Sequence, residues 1–403
     1  MNEDLSGPEP AGRYHSLDAL RAAMMLLGLV LHSAASYTQA PLGDAWPYQD
    51  PHTNPVFDLL VFFIHVFRMP VFFVAAGFFA ALLYRRDGAI AFVRNRTKRV
   101  LVPLLVFWPT VVPVVGLSFL LALKRGGGSS DWADAIARQP LGRQPLLGHL
   151  WFLYDLLLLY FAALVSLPLV TRLPAGVRHR MTSLFRAHAT SALGAVVLAA
   201  LSTITLVPME VPGIETSAAL LPPIRVIAAY GMFFAFGWLL FGCRDLLPSF
   251  GWRWKSWLAS GMCATAAYLY VVIARPIADR TLWHLASVGL ASIAIWLLVF
   301  GIVGLFVRHM DAPRPLVRYF SDASYWIYLV HLAPVVWGVG LLARATAPAI
   351  VKFGLVLGFT TVVTTITYHY LVRSTAIGAL LNGRRYARSS VAGSRFSAMG
   401  SKF

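Results

Sequence analysis

Ten runs of about 20 apolar residues divide this chain, at 17–38, 57–84, 100–123, 148–169, 190–207, 224–243, 256–274, 284–307, 320–343 and 350–372. A helix of that length crosses the roughly 30 Å hydrocarbon core of a bilayer. Only 13% of the 403 residues are charged and 58% are apolar, against about 25% charged in a soluble domain. Such a chain cannot cover a globule with polar surface. The expected fold is an all-α integral membrane protein of about ten transmembrane helices. The expected division is a cytoplasmic N-terminal tail over 1–16, one membrane domain over 17–373, and a basic cytoplasmic C-terminal tail over 374–403.

The net charge of +17 would suggest nucleic acid in a soluble chain. Distribution argues otherwise. With the N-terminus in the cytoplasm, 23 of the 34 Lys and Arg residues fall in inner segments and 8 in outer ones, with Arg21, Arg68 and Arg225 in or beside spans. That asymmetry follows the positive-inside rule and predicts both termini in the cytoplasm. No nucleic-acid partner is expected. Cys243 and Cys263 lie in apolar stretches without metal-ligand spacing, so neither a disulfide framework nor a metal is expected.

Ionisable residues inside spans are costly and mark function. The first span, "SLDALRAAMMLLGLVLHSAASY", carries Arg21 and His32. Eleven positions at 100° per residue bring them within about 20° of one face, roughly 16 Å apart along the axis. For Arg21 alone, snorkelling to the inner headgroups is the simpler reading; two such residues on one stripe read as stations on a channel wall. Asp18 is too far along the helix to orient His32 and is expected to pair with Arg21 or favour the helix start. The second span, "FFIHVFRMPVFFVAAGFF", holds His65 and Arg68 three residues apart. Arg68 is expected near mid-membrane, where it needs an anion, a carbonyl or water, with Pro70 able to kink the helix beside it.

The following loop, "AFVRNRTKRVLVP", places Arg96 and Arg99 on one side of a helical turn. Guanidinium groups grip phosphate oxygens bidentately, although basic inner loops also arise from topology alone. In "GHLWFLYDLLLLY", Asp155 lies just inside a span as a candidate partner for a histidine; in "SDASYWIYLVHLAPVVW", Tyr325, Tyr328 and His331 share roughly one face.

These residues carry a resemblance. "LDALRAAMMLLGLVLH" resembles the Arg-x10-His signature in the first helix of the acyltransferase 3 family of integral membrane acyltransferases, and "FVRNRTKRVLVP" looks like its cytoplasmic Arg-x-x-Arg element. "FIHVFRMPVFFVAAGFF", "GHLWFLYDLL" and "YWIYLVHLAP" are similar to its glucan biosynthesis protein C branch, which succinylates periplasmic glucans. The resemblance implies a ten-helix core in the bacterial cytoplasmic (inner) membrane. It implies acyl-coenzyme A as donor, succinyl favoured and acetyl the alternative, and a periplasmic or envelope glucan hydroxyl as acceptor. His32 is then the catalytic histidine, Arg21 its partner, and Arg96 and Arg99 a coenzyme-binding pair. Arg68 is added as a coenzyme-binding residue and candidate selector of the acyl group, with His65, Asp155, Tyr328 and His331 in support. Acceptor recognition falls to the outer loops, chiefly 39–56, 124–147 and 208–223. The competing reading is a secondary transporter that uses the intramembrane His, Arg and Asp as a relay.

Overall fold

The computed structural model describes residues 14–127 and 131–383. These residues form helices, turns and irregular segments, with no strand among them. In chain order the helices are α1 His15–Ala34, α2 Pro55–Arg96, α3 Val102–Gly126, α4 Asp131–Ala137, α5 Trp151–Arg172, α6 Ala175–His188, α7 Ala192–Leu206, α8 Ile224–Gly242, α9 Leu247–Ala274, α10 Arg280–His309, α11 Pro315–Val330, α12 Leu332–Leu342, α13 Ala349–Thr367 and α14 Ala376–Asn382.

Among the described residues, seven helical stretches are long and apolar enough to cross a membrane, or up to nine if each of two bent pairs counts as one span. One of the seven, Pro55–Gly126, is 72 residues long. At 1.5 Å per residue it would exceed 100 Å, roughly three times the hydrocarbon thickness. It holds the predicted spans 57–84 and 100–123 without a loop between them. Gly88, at φ 80° and ψ 176°, breaks the helical path of α2, and a π-helical turn over Thr97–Leu101 joins it to α3. The expected Pro70 kink is not the break: the helix runs through Pro70, and Gly88 is its one non-helical residue.

The bent pairs revise two further expectations. α6, predicted as part of a connection, is a helix turned 113° from α7. It buries none of its residues. The span 320–343 divides into α11 and α12, bent by 62° at His331. The cause is local: Pro334 cannot donate to the Val330 carbonyl, so the helical ladder opens there.

α1 lies at the centre, packed against α2, α10, α11, α12 and α13. α2 crosses α8 at backbone contact: a Cβ on Gly77 would strike the Phe234 carbonyl, and one on Gly237 the Val74 carbonyl. Large apolar residues face outward along α3, α5, α7 and α13, among them Leu117, Phe161, Ile204 and Val362. On a chain of this composition that outer surface is the lipid-facing one. The C-terminal division also shifts. Residues 376–382 of the predicted tail form α14, which packs against the π-helical turns Thr97–Leu101 and Tyr368–Val372 and against α11; residues 384–403 of that tail, and all but residues 14–16 of the N-terminal one, lie outside the described residues.

Candidate active site

The break between α11 and α12 sets the geometry of the site. His331 is 1% exposed. Its Nδ1 faces two carbonyls of the preceding turn, Tyr328 at 2.8 Å and Ile327 at 3.1 Å. A nitrogen that meets only carbonyl oxygens must carry the hydrogen. In the neutral ring Nε2 is therefore an acceptor, and it lies 2.8 Å from His32 Nδ1. His32 then donates from Nδ1 and keeps the lone pair on Nε2. The bent span thus fixes the tautomer of an imidazole 299 residues away in sequence.

The shell around this pair is aromatic and cationic. Trp46, from the segment after α1, stacks on His32 with centroids 5.8 Å apart and planes 5° from parallel. Its indole N–H donates to Ser36 Oγ at 2.7 Å, and its ring meets Phe119 edge-on. One turn below His32, Gly28 leaves room for the Arg68 guanidinium; a Cβ there would collide with it. His149 Nε2 donates to the Leu329 carbonyl at 3.1 Å, and the Tyr328 hydroxyl donates to the His149 carbonyl at 2.8 Å. Several buried polar atoms here have no protein partner: Arg68 Nε, His149 Nδ1, Tyr230 OH and both Asp155 oxygens. Unmet buried groups of this kind are costly, and a cluster of them suits a site that receives a polar ligand.

At one end of the bundle lies a cavity of about 390 Å³ lined by Arg21, Arg96 and Arg99 together with Asp322, Tyr160, Tyr325 and the α14 end at Leu381–Gly383. Arg96 lies over the Tyr160 and Phe92 rings, donates weakly to Tyr160 OH at 3.4 Å, and leaves its buried Nε unpartnered. Arg99 lies against Gly383 and donates to the Leu381 carbonyl at 3.5 Å; its own carbonyl accepts from Tyr325 at 2.9 Å. Arg21 lies over Phe79 and pairs with Asp18 at 3.4 Å, as expected for that pair. Met25, Phe72 and Phe152 also line the cavity. Met25 precedes His32 by seven residues, roughly 10 Å along α1.

The acyltransferase 3 profile, described as an acyltransferase domain, matches residues 14–369. The chain belongs to the acyltransferase 3 family. It is 28% identical over 330 residues to "Glucans biosynthesis protein C" of Salmonella gallinarum, and equally so to the proteins of that name in Salmonella paratyphi B and Salmonella enteritidis. Each match covers 80% of this chain and 82% of the relative. No solved structure matches. The chain is an integral membrane acyltransferase of this family.

Within this family member, the structure sorts the predicted residues into two groups. His32, His331, Tyr328 and Arg68 gather around the imidazole pair; Arg21, Arg96 and Arg99 share the basic cavity. Arg21 is not a contact of His32. Its guanidinium belongs to the cavity because helix α1 carries it to the other end of the stripe. Neither His65 nor Asp155 orients His32. His65 is committed to the Ile214 carbonyl at 3.2 Å, and Asp155 makes no hydrogen bond. Sequence reasoning missed Trp46, Asp50 and Lys352. Lys352, read as an outer-loop charge, is 0% exposed and donates to both Asp50 oxygens at 2.9 Å. Asp50 in turn has its N–H on the Ser36 carbonyl, beside the hydroxyl that holds Trp46. The only signal was an isolated lysine four residues past Pro348 in an apolar helix.

Proposed function

We propose that this protein is an O-acyltransferase of the bacterial cytoplasmic membrane. It moves an acyl group, succinyl rather than acetyl, from acyl-coenzyme A on the cytoplasmic side to a hydroxyl of a periplasmic or envelope glucan. The cytoplasmic side is the one with Arg21, Arg96 and Arg99, in keeping with the partition of basic residues. Those guanidiniums suit the coenzyme phosphates, and the unpartnered Arg96 Nε is free for one of them.

His32 supplies the chemistry. Its Nε2 takes the proton of the attacking hydroxyl, while the Nδ1–H stays bonded to His331. The oxygen adds to the thioester carbonyl, and collapse of the adduct forms the ester and releases the thiolate. The imidazolium returns its proton to the thiolate, so the residue ends as it began. Arg68, beside Gly28 with an unpartnered Nε, supports the succinyl reading by offering a charge to the carboxylate at the far end of the acyl chain, and the glucan acceptor accords with the name of the Salmonella relatives.

The carrying observation is the oriented His32–His331 pair above a three-arginine cavity. The test is purified protein in lipid vesicles, given radiolabelled succinyl-coenzyme A and glucan. The expected result is label bound stably to glucan, lost in His32→Ala protein that still folds. Accumulation of unmodified solute inside the vesicles, without labelled glucan, would instead establish a transporter.

A further inference from the structure

At the other end of the bundle from the arginines, a groove of about 270 Å³ opens beside the segment after α1. We propose that this groove is a pyranose subsite for the acceptor, with Trp132 and Tyr48 as its sugar-binding residues and Trp46 as the wall it shares with the His32 chamber. The proposal rests on the acyl-transfer reading and names where the acceptor sits.

Trp46, Tyr48, Trp132, Asp44, Gln49 and Thr38 line the groove. The polar atoms of this set divide sharply. The Trp46 N–H is spent on Ser36, the Gln49 amide donates to the Thr38 and Gln39 carbonyls, and the Thr38 hydroxyl donates to the Ala35 and Ala40 carbonyls. Two buried groups have no partner: the Tyr48 hydroxyl and the Trp132 indole N–H. Tyr48 is only 4% exposed, so its unmet hydroxyl is one that water does not freely satisfy. Burial, then the Asp50 carboxylate, push this phenol up to about 12, so it presents an O–H throughout the ordinary pH range.

Flat aromatic walls with a few free polar atoms match a sugar ring, which has apolar C–H faces and a rim of hydroxyls. The charge of the lining selects further. Asp44 is the one charged residue among the lining residues, and no Lys or Arg joins it. An anionic headgroup or a phosphorylated glycan would find no counter-charge; a neutral glucan loses nothing. The volume lies just below the roughly 300–1,000 Å³ of small-ligand sites, enough for a single ring of a longer chain.

The site is built rather than incidental. The Tyr48 ring rests on Gly126 at the end of α3. Two residues on, Asp50 is clamped by Lys352 of α13. Trp132, at the start of α4, is held against Phe119, which also supports Trp46. A ring seated here is separated from His32 by one side chain.

The test is equilibrium binding of a radiolabelled gluco-oligosaccharide to the full chain in lipid nanodiscs, without donor, for wild type, Trp132→Leu and Tyr48→Phe. Each variant is expected to weaken binding about tenfold, the equivalent of about 1.4 kcal/mol, and to raise the acceptor KM similarly while the coenzyme KM stays in place. Equal binding by all three proteins, or no binding by wild type, overturns the subsite. Failure of the acyl-transfer reading registers separately, as intact thioester after incubation with both substrates, because the binding measurement needs no donor.

Discussion

Replacing His331 with phenylalanine would strip His32 Nδ1 of the one hydrogen-bond acceptor it has among the described residues while keeping an aromatic ring in the bend. The structure gives that bond as 2.8 Å, inside a shell where His331 is 1% exposed. A buried donor left without a partner costs about 1–3 kcal/mol. Here the cost can be avoided by moving the hydrogen to Nε2, which removes the lone pair that accepts the substrate proton. Either way the penalty enters the activation free energy. At about 1.4 kcal/mol per factor of ten, kcat should fall roughly 10- to 100-fold. Deleting the base itself in His32→Ala should cost more, about 10²–10⁴-fold. The assay is steady-state transfer of labelled acyl group to glucan in vesicles, with thermal unfolding of each variant measured alongside. His331→Gln, which can offer a carbonyl oxygen to the same Nδ1–H, should recover part of the loss. A His331→Phe protein with wild-type kcat, or one in which only a KM moves, would refute the tautomer reasoning.

Other substitutions probe the remaining parts. Lys352→Met leaves Asp50 charged and buried. It should lower stability by about 3–5 kcal/mol, with most of the loss recovered in Lys352→Met/Asp50→Leu, as read by thermal unfolding in detergent. Arg96→Ala/Arg99→Ala should raise the coenzyme KM at least tenfold, each charge-assisted hydrogen bond being worth about 1.5–3 kcal/mol; unchanged coenzyme binding in an inactive pair would contradict the phosphate role. Arg68→Met should shift the donor preference from succinyl toward acetyl, measured as the ratio of kcat/KM for the two thioesters. Gly77→Val forces apart backbones that touch at Phe234, and the expected outcome is aggregation or loss of the monodisperse folded species on size exclusion.

The spans were readable because hydrocarbon length and apolar run are tied to each other, and the shared face of Arg21 and His32 followed from helical periodicity. What periodicity could not convey is which helices touch. His331 could be nominated from its position in an apolar run, but its bond to His32 depends on a bend that brings α11 and α12 around α1. Arg21 lines the basic cavity with Arg96 and Arg99, at the opposite end of the α1 stripe from His32, and its neighbours there come from other helices. Trp46 and Lys352 were passed over because tryptophans near a bilayer edge and cations near a span end usually serve as anchors. Their present roles arise from partners outside their own segments, Trp46 against His32 and Lys352 against Asp50.

The central placement of α1 has a consequence for biogenesis. This helix precedes the other described helices in the chain, yet the group that completes His32 follows 299 residues later. While the intervening helices insert, Arg21 and His32 wait in the membrane with most of their eventual neighbours still unsynthesised. Closure of the bundle around them is a long-range event of the kind that slows assembly, so the chain gains its chemistry only when α11 and α12 dock. Truncation before α11 would leave a membrane protein with many of its helices and no working imidazole.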